Sequence, residues 1–311
     1  MNASTPTFNE SKILVDIENF IISMIYENYT EQSFKDGLIQ LIPQFKAIYQ
    51  THLKYAQSVE TFHSLTKAID EMLNGEDISA VKHFNPMQMS RLLELLHYGK
   101  LNFAFELIGL KAQEERNQRS LSEYLKKLTQ HYAKLLFIRI DLSIKLKHQH
   151  EVGIEQFNAY LRTFINRVQN QDTCFKGLQG YAWALEQGAN KGYHCHFLLI
   201  YDGHKHQKDF GMAIQVGQCW SEITANKGYY FTSNSPDYKE QFLQKGKLGI
   251  GMIHRSKPDQ VQRAIEAAMY LVNPEKDNQH LRARVSNMRS FGKGLYEINR
   301  RRGCIVHYES K

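Results

Sequence analysis

At 311 residues and 42% hydrophobic content, the chain is long enough for two domains and a sizeable core. No apolar run approaches membrane-spanning length, and no basic stretch leads into an apolar one near Met1, so a cytoplasmic protein without a membrane partner is expected. A net charge of +7 favours an anionic partner, and Cys174, Cys195, Cys219 and Cys304, scattered without Cys-x-x-Cys, argue against a disulfide framework or zinc knuckle.

Ile13, Ile17, Phe20, Ile21, Met24 and Ile25 recur with helical spacing. So do Leu38, Leu41, Ile42, Phe45 and Ile48, with Pro43 marking a kink or boundary. A third helix spans Pro86 to His97. Residues 111–120 are polar and charged, and read as an exposed helix or a domain boundary. The chain divides accordingly into an all-helical N-terminal domain, 1–119, and a second domain, 120–311.

The second part opens with a helix through Leu121, Tyr124, Leu125, Leu128 and Tyr132. A strand follows, with Leu136, Ile138, Ile140 and Leu142 on one face and Arg139 and Asp141 on the other. Ile154, Phe157, Leu161, Phe164, Ile165 and Val168 line an amphipathic helix. A β-hairpin comes next, then a helix through Phe210, Ile214, Trp220 and Ile223. Short strands at 229–232 and 248–254 precede a last helix from Ser256 and Pro258 to Val272. This order predicts an α+β fold: a mostly antiparallel central sheet with helices packed on one face, preceded by the helical region.

The chemistry concentrates in the hairpin. His194 and His196 flank Cys195 in an apolar strand and therefore share a face. Glu186 ends the preceding run Tyr181-Ala182-Trp183-Ala184-Leu185, and Gly188, Ala189, Asn190 and Lys191 supply the turn. A register that sets Glu186 opposite 194 or 196 gathers two imidazoles and a carboxylate, a metal-binding set. A slip of one residue puts Glu186 on the wrong side. An isolated His-x-His is more often a buried hydrogen-bonded pair than a ligand set.

Other candidates are weaker. His204 and His206 form a second pair, but an extended chain from His196 to His204 spans roughly 26 Å, so they read as loop histidines. The Gly246–Gly251 stretch lacks the GK[ST] of a phosphate loop and is given no nucleotide role. A cupin-like oxygenase would need a glutamate shortly after the second histidine, where Leu199, Ile200 and Tyr201 stand.

In the last helix Tyr270 leaves the apolar stripe of Val261, Ile265, Ala268, Met269 and Val272 and shares a face with Arg263, Glu266 and Ala267. Near the C-terminus Arg282, Arg284, Arg289, Lys293, Arg300, Arg301 and Arg302 are opposed only by Glu297. Beside a metal site on a sheet they read as a phosphate track, joined by Arg139 and Arg263.

His-hydrophobic-His on a strand with a tyrosine on a later helix resembles the HUH endonucleases, the rolling-circle initiators and relaxases. More narrowly, 121–294 is similar to the YagK/YfjJ C-terminal-domain family, which includes inovirus (filamentous phage) replication proteins. Tyr124-Leu125, Arg139-Ile140-Asp141-Leu142, Trp183, Glu186, Tyr193-His194-Cys195-His196, Trp220, Gly249-Ile250-Gly251, Tyr270-Leu271 and Arg289-Ser290-Phe291-Gly292 carry the likeness.

The resemblance implies an RRM-like palm and a single-tyrosine endonuclease and strand transferase, which would initiate rolling-circle replication of a phage, prophage or plasmid. It implies His194, His196 and Glu186 as metal ligands, Mg²⁺ or Mn²⁺ as the ion, and Tyr270 as nucleophile. Single-stranded or locally melted origin DNA is the implied partner. Relatives place a lysine just after the tyrosine. Here Asn273 and Pro274 stand there, and Lys276 is the next lysine available to supply the charge. The competing expectation is a non-catalytic DNA-binding protein that keeps the fold. For the helical N-terminal part, origin recognition, self-association and recruitment of a host helicase or replisome stay open.

Overall fold

The computed structural model describes residues 8–27, 29–272 and 279–296. Helix α1 (Glu10–Tyr26) starts where the Asn9 side chain accepts the Lys12 N–H, and α2 (Glu31–Ile48) starts at a Thr30/Ser33 capping box. The latter runs on through Pro43 instead of ending there. Strand β1 (Lys54–Tyr55) and helix α3 (Gln57–Leu73) follow.

Helix α4 (Pro86–His131) is continuous over 46 residues, about 69 Å at helical rise. An Asn85/Gln88 capping box and Pro86 in its first turn fix its start. The boundary expected at 119/120 therefore falls inside a helix, and no linker separates the two parts. The helical N-terminal part also shares one core with the sheet. Ile13, Ile17, Phe34, Phe45, Phe62 and Leu65 belong to the same buried cluster as Leu136, Ile138, Ile140, Phe197 and Trp220.

The sheet is built from β2 (Lys134–Ile144), β3 (Leu178–Gly188), β4 (Gly192–Asp202), β5 (Gly228–Thr232), β6 (Gly251–His254) and β8 (Phe291–Lys293). Between them come α5 (Ile154–Gln169), α6 (Asp209–Ile223), α7 (Pro236–Gln244), α8 (Pro258–Met269) and β7 (Ala283–Arg284), which pairs with β1. The strand order is β5-β2-β4-β3-β8, with β6 also on β2, and every pairing is antiparallel. The fold is α+β, as the element order predicts.

Strand alternation sorts the two faces. Leu136, Ile138, Ile140, Leu142, Cys195, Phe197 and Leu199 face the large core shared with α1–α3, α5 and α6. Leu135, Phe137, Ala182, Ala184, Leu198 and Ile200 face a second cluster with Leu121, Tyr124, Leu125 and Leu128 of α4 and Ala264, Ile265 and Ala268 of α8. The end of α4 and α8 thus cover part of the second face. The polar positions of that face, Glu186, His194, His196 and Asp141, lie beyond them.

Candidate metal centre

The hairpin register sets Glu186 opposite His194, so the three predicted ligands share one face. The turn is short, Ala189 to Lys191, and Gly192 re-enters the strand at φ +62°, a conformation open to glycine at little steric cost. That geometry aims the Gly192 carbonyl back at the site. It accepts a hydrogen bond from His194 Nδ1 at 3.1 Å. Asp141, across the neighbouring strand from His196, accepts from His196 Nδ1 at 2.6 Å.

Both outer nitrogens are thereby engaged, and both Nε2 atoms turn toward one carboxylate. Glu186 Oε2 is 3.2 Å from His196 Nε2 and 3.5 Å from His194 Nε2. One donor atom from each residue falls within 4.8 Å of the others. All three side chains are nearly buried. Two imidazoles and a carboxylate, with their second nitrogens held by a carboxylate and a carbonyl, form a donor set suited to a first-row divalent ion.

Charge is balanced around the site. Burial works against the His196 imidazolium, but hydrogen bonds to Asp141 and Glu186 outweigh it and raise its pKa. Burial pushes Asp141 upward, yet His196, then Arg139 and Lys191, hold its carboxyl below the ordinary range. Burial keeps the Cys195 thiol protonated on the opposite face.

Tyr270 lies in the 3-10 turn that ends α8 and is 58% exposed. Its ring sits 6.0 Å from the guanidinium carbon of Arg139. Arg139 Nε in turn is 3.9 Å from Asp141 Oδ1, and this buried N–H lacks a hydrogen-bond acceptor among the described residues. A run of contacts therefore leads from Tyr270 through Arg139 and Asp141 to His196. Gly249, in the loop before β6, lets α8 pack closely there: a Cβ would stand 2.1 Å from the Arg263 carbonyl oxygen.

The predicted basic residues separate. Arg263 is half-buried on α8, Arg289 is exposed, and Lys293 lies over the Tyr124 ring at 4.8 Å. Arg284 is half-buried and lines a small cavity of about 90 Å³ with Glu186 and Leu271. Arg282, expected in the phosphate track, is fully buried and cannot meet a phosphate backbone. Its Nε donates to Glu18 Oε1 at 2.8 Å and its Nη1 to the Gln187 carbonyl at 2.9 Å, so it clamps the strand beside Glu186. Lys276, Arg300, Arg301 and Arg302 lie outside the described residues. His204 is exposed and His206 half-buried, just past the end of β4 remote from the site.

Sequence reasoning left Asp141 and the Gly192 carbonyl without a role. The signal for Asp141 was its place on the polar face of its strand. Its pairing with His196 needs the β2–β4 register, which no local pattern carries.

Fold and site together define an α+β protein with a His/His/Glu donor set on one face of an antiparallel sheet. The chain belongs to the YagK/YfjJ C-terminal domain family, whose match covers residues 110–294, more than half its length. No curated protein and no solved structure matches it.

Proposed function

We propose that the protein is a metal-dependent, single-tyrosine endonuclease and strand transferase acting on single-stranded DNA. Initiation of rolling-circle replication of a phage, prophage or plasmid, as in HUH enzymes, is the biological role this reading assigns. The observation that carries it is the convergence of His194 Nε2 and His196 Nε2 on Glu186 Oε2, with exposed Tyr270 linked to the same cluster through Arg139. Glu186, His194 and His196 would hold the ion, Mg²⁺ or Mn²⁺. When bound, it supplies charge neutralisation at a scissile phosphate.

The chain's own groups do the rest. The Tyr270 phenolic oxygen attacks phosphorus and the bond to the 3′ oxygen breaks. A 5′-phosphotyrosine forms, and the phenolic proton balances the released 3′ hydroxyl. The Arg139 guanidinium, part-exposed between the Tyr270 ring and the Asp141 carboxylate, would hold a phosphate oxygen beside the tyrosine. The reverse step returns the strand to a 3′ hydroxyl, which makes transfer reversible.

The test is covalent capture. The full chain is incubated with Mn²⁺ and a single-stranded oligonucleotide library, and the products are resolved under denaturing conditions. A protein–DNA adduct is expected, lost in Tyr270→Phe and in His196→Ala. Salt-sensitive binding without adduct on any sequence would instead support a non-catalytic DNA-binding protein.

A further inference from the structure

The sheet carries two large aromatic side chains in line with the metal centre. Tyr229 pairs with Ser143, and Phe231 pairs with Asp141, on edge strand β5. Those β2 residues pair in turn with His194 and His196. Residues directly opposite on neighbouring strands point to the same face. Two rows therefore cross the sheet: Tyr229–Ser143–His194–Glu186 and Phe231–Asp141–His196–Ala184. Two strand spacings put the β5 backbone roughly 10 Å from that of β4.

Neither ring is absorbed into a core. Tyr229 is 53% exposed and Phe231 is 40% exposed. Phe231 is backed edge-on by Tyr238 at 5.5 Å, and Tyr238 stacks on Phe242 at 4.8 Å. An open groove of about 340 Å³ runs between Tyr229, Phe231 and His194, with Lys145, Lys191 and Asn190 on its rim. Lys191 is exposed and close enough to act on the Asp141 carboxylate. Exposed aromatic rings beside lysines, opening onto one groove, match the two demands of unpaired nucleic acid: planes for bases and cations for phosphates. A duplex satisfies its own base stacking and has no use for such planes.

We propose that Tyr229 and Phe231 form a base-stacking platform that seats unpaired nucleotides of single-stranded DNA next to the His/His/Glu centre. The platform deepens the nuclease reading, since it supplies the register in which a phosphate would meet Tyr270. It makes base contacts, whereas Lys191 contacts the backbone.

The full-length protein is titrated, in EDTA, against fluorescein-labelled oligo-dT longer than the ~4–16 nucleotides one such site spans. An abasic oligomer of equal length is the second probe. Y229A/F231A is expected to weaken oligo-dT binding about 10-fold or more, with the salt slope unchanged. Abasic binding should be the same in both proteins, and Tyr229→Phe should bind oligo-dT like wild type. Lys191→Ala should lower affinity for both probes and reduce the salt slope by about 0.7. Matching melting temperatures exclude misfolding as the cause. Equal oligo-dT affinity in wild type and Y229A/F231A overturns the platform, as does a change of oligomeric mass with DNA binding intact. The capture assay separates the two readings. An adduct with no stacking effect removes the platform alone; a stacking effect with no adduct on any sequence removes the nuclease alone.

Discussion

Asp141 Oδ1 stands 2.6 Å from His196 Nδ1, on the strand next to the one that carries the histidine. A carboxylate can only accept there, so it fixes the ring with Nε2 turned inward to Glu186. Asp141→Ala should weaken Mn²⁺ binding by about 10–100-fold while leaving the fold intact. Isothermal titration with Mn²⁺, alongside the circular dichroism spectrum, measures both. If affinity is unchanged in Asp141→Ala but lost in His194→Ala, Asp141 has no positioning role.

The approach of α8 to the loop that leads into β6 rests on a missing side chain. A Cβ at Gly249 would meet the Arg263 carbonyl oxygen at 2.1 Å and Ala267 Cβ at 2.7 Å. Gly249→Ala must push the helix away and should cost about 1–3 kcal/mol. Gly246, three residues earlier, has open space around it and φ +65°, so Gly246→Ala bears only a backbone penalty of about 1 kcal/mol. Urea unfolding of both variants ranks them. The reverse order would show that α8 is not held by this contact.

The His/His/Glu cluster was legible because it is local. Glu186, the turn and both histidines fall within one hairpin, and strand alternation alone puts them on a common face. Helix α4 was read in pieces for the opposite reason. Its middle buries little: Tyr98, Leu101, Phe105 and Ile108 are exposed, and a polar run follows, so no periodic core face signals continuity. Helix α3 carries Val59, Phe62, Leu65, Ile69 and Leu73 at helical spacing, so its signal was present in the sequence as clearly as those of α1 and α2. Arg282 misled because its neighbours in sequence are cationic, while its partner Glu18 is 264 positions away. Charge clusters report composition; burial depends on contacts that sequence distance hides.

That buried pair sets an acid limit on stability. Glu18 accepts from Arg282 Nε at 2.8 Å, His280 Nε2 at 2.9 Å and Ser58 Oγ at 2.9 Å. Burial pushes its carboxyl up, but His280 and Arg282 outweigh that and hold its pKa below the ordinary value. A depressed folded-state pKa means the contribution is full above the unfolded value, about 4.3, and is lost as pH falls through the folded one. Glu18→Gln should therefore cost about 3–5 kcal/mol at pH 7, by stranding Arg282, and should flatten the fall in stability below about pH 4. Denaturant melts across that range decide it. A variant with the wild-type acid slope would show that Glu18 does not titrate as described.

Because α1 closes the back of the sheet, the second part, 120–311, should not fold by itself. Tyr193 Oη donates to Glu10 Oε1 at 2.7 Å, the Ile154 N–H reaches the same oxygen at 2.7 Å, and Gln187 Nε2 donates to the Ser11 carbonyl at 2.9 Å. Residues 120–311 expressed alone would leave Tyr193 and Gln187 uncovered, keep only the last turns of α4 and orphan Arg282 from Glu18. Loss of so much shared core exceeds the marginal stability of a domain this size. The fragment should aggregate or bind a hydrophobic dye, with no cooperative melt, while the full chain unfolds in a single transition. A soluble fragment with a cooperative melt and Mn²⁺ affinity equal to the full chain would establish 120–311 as autonomous and leave the N-terminal helices as an accessory.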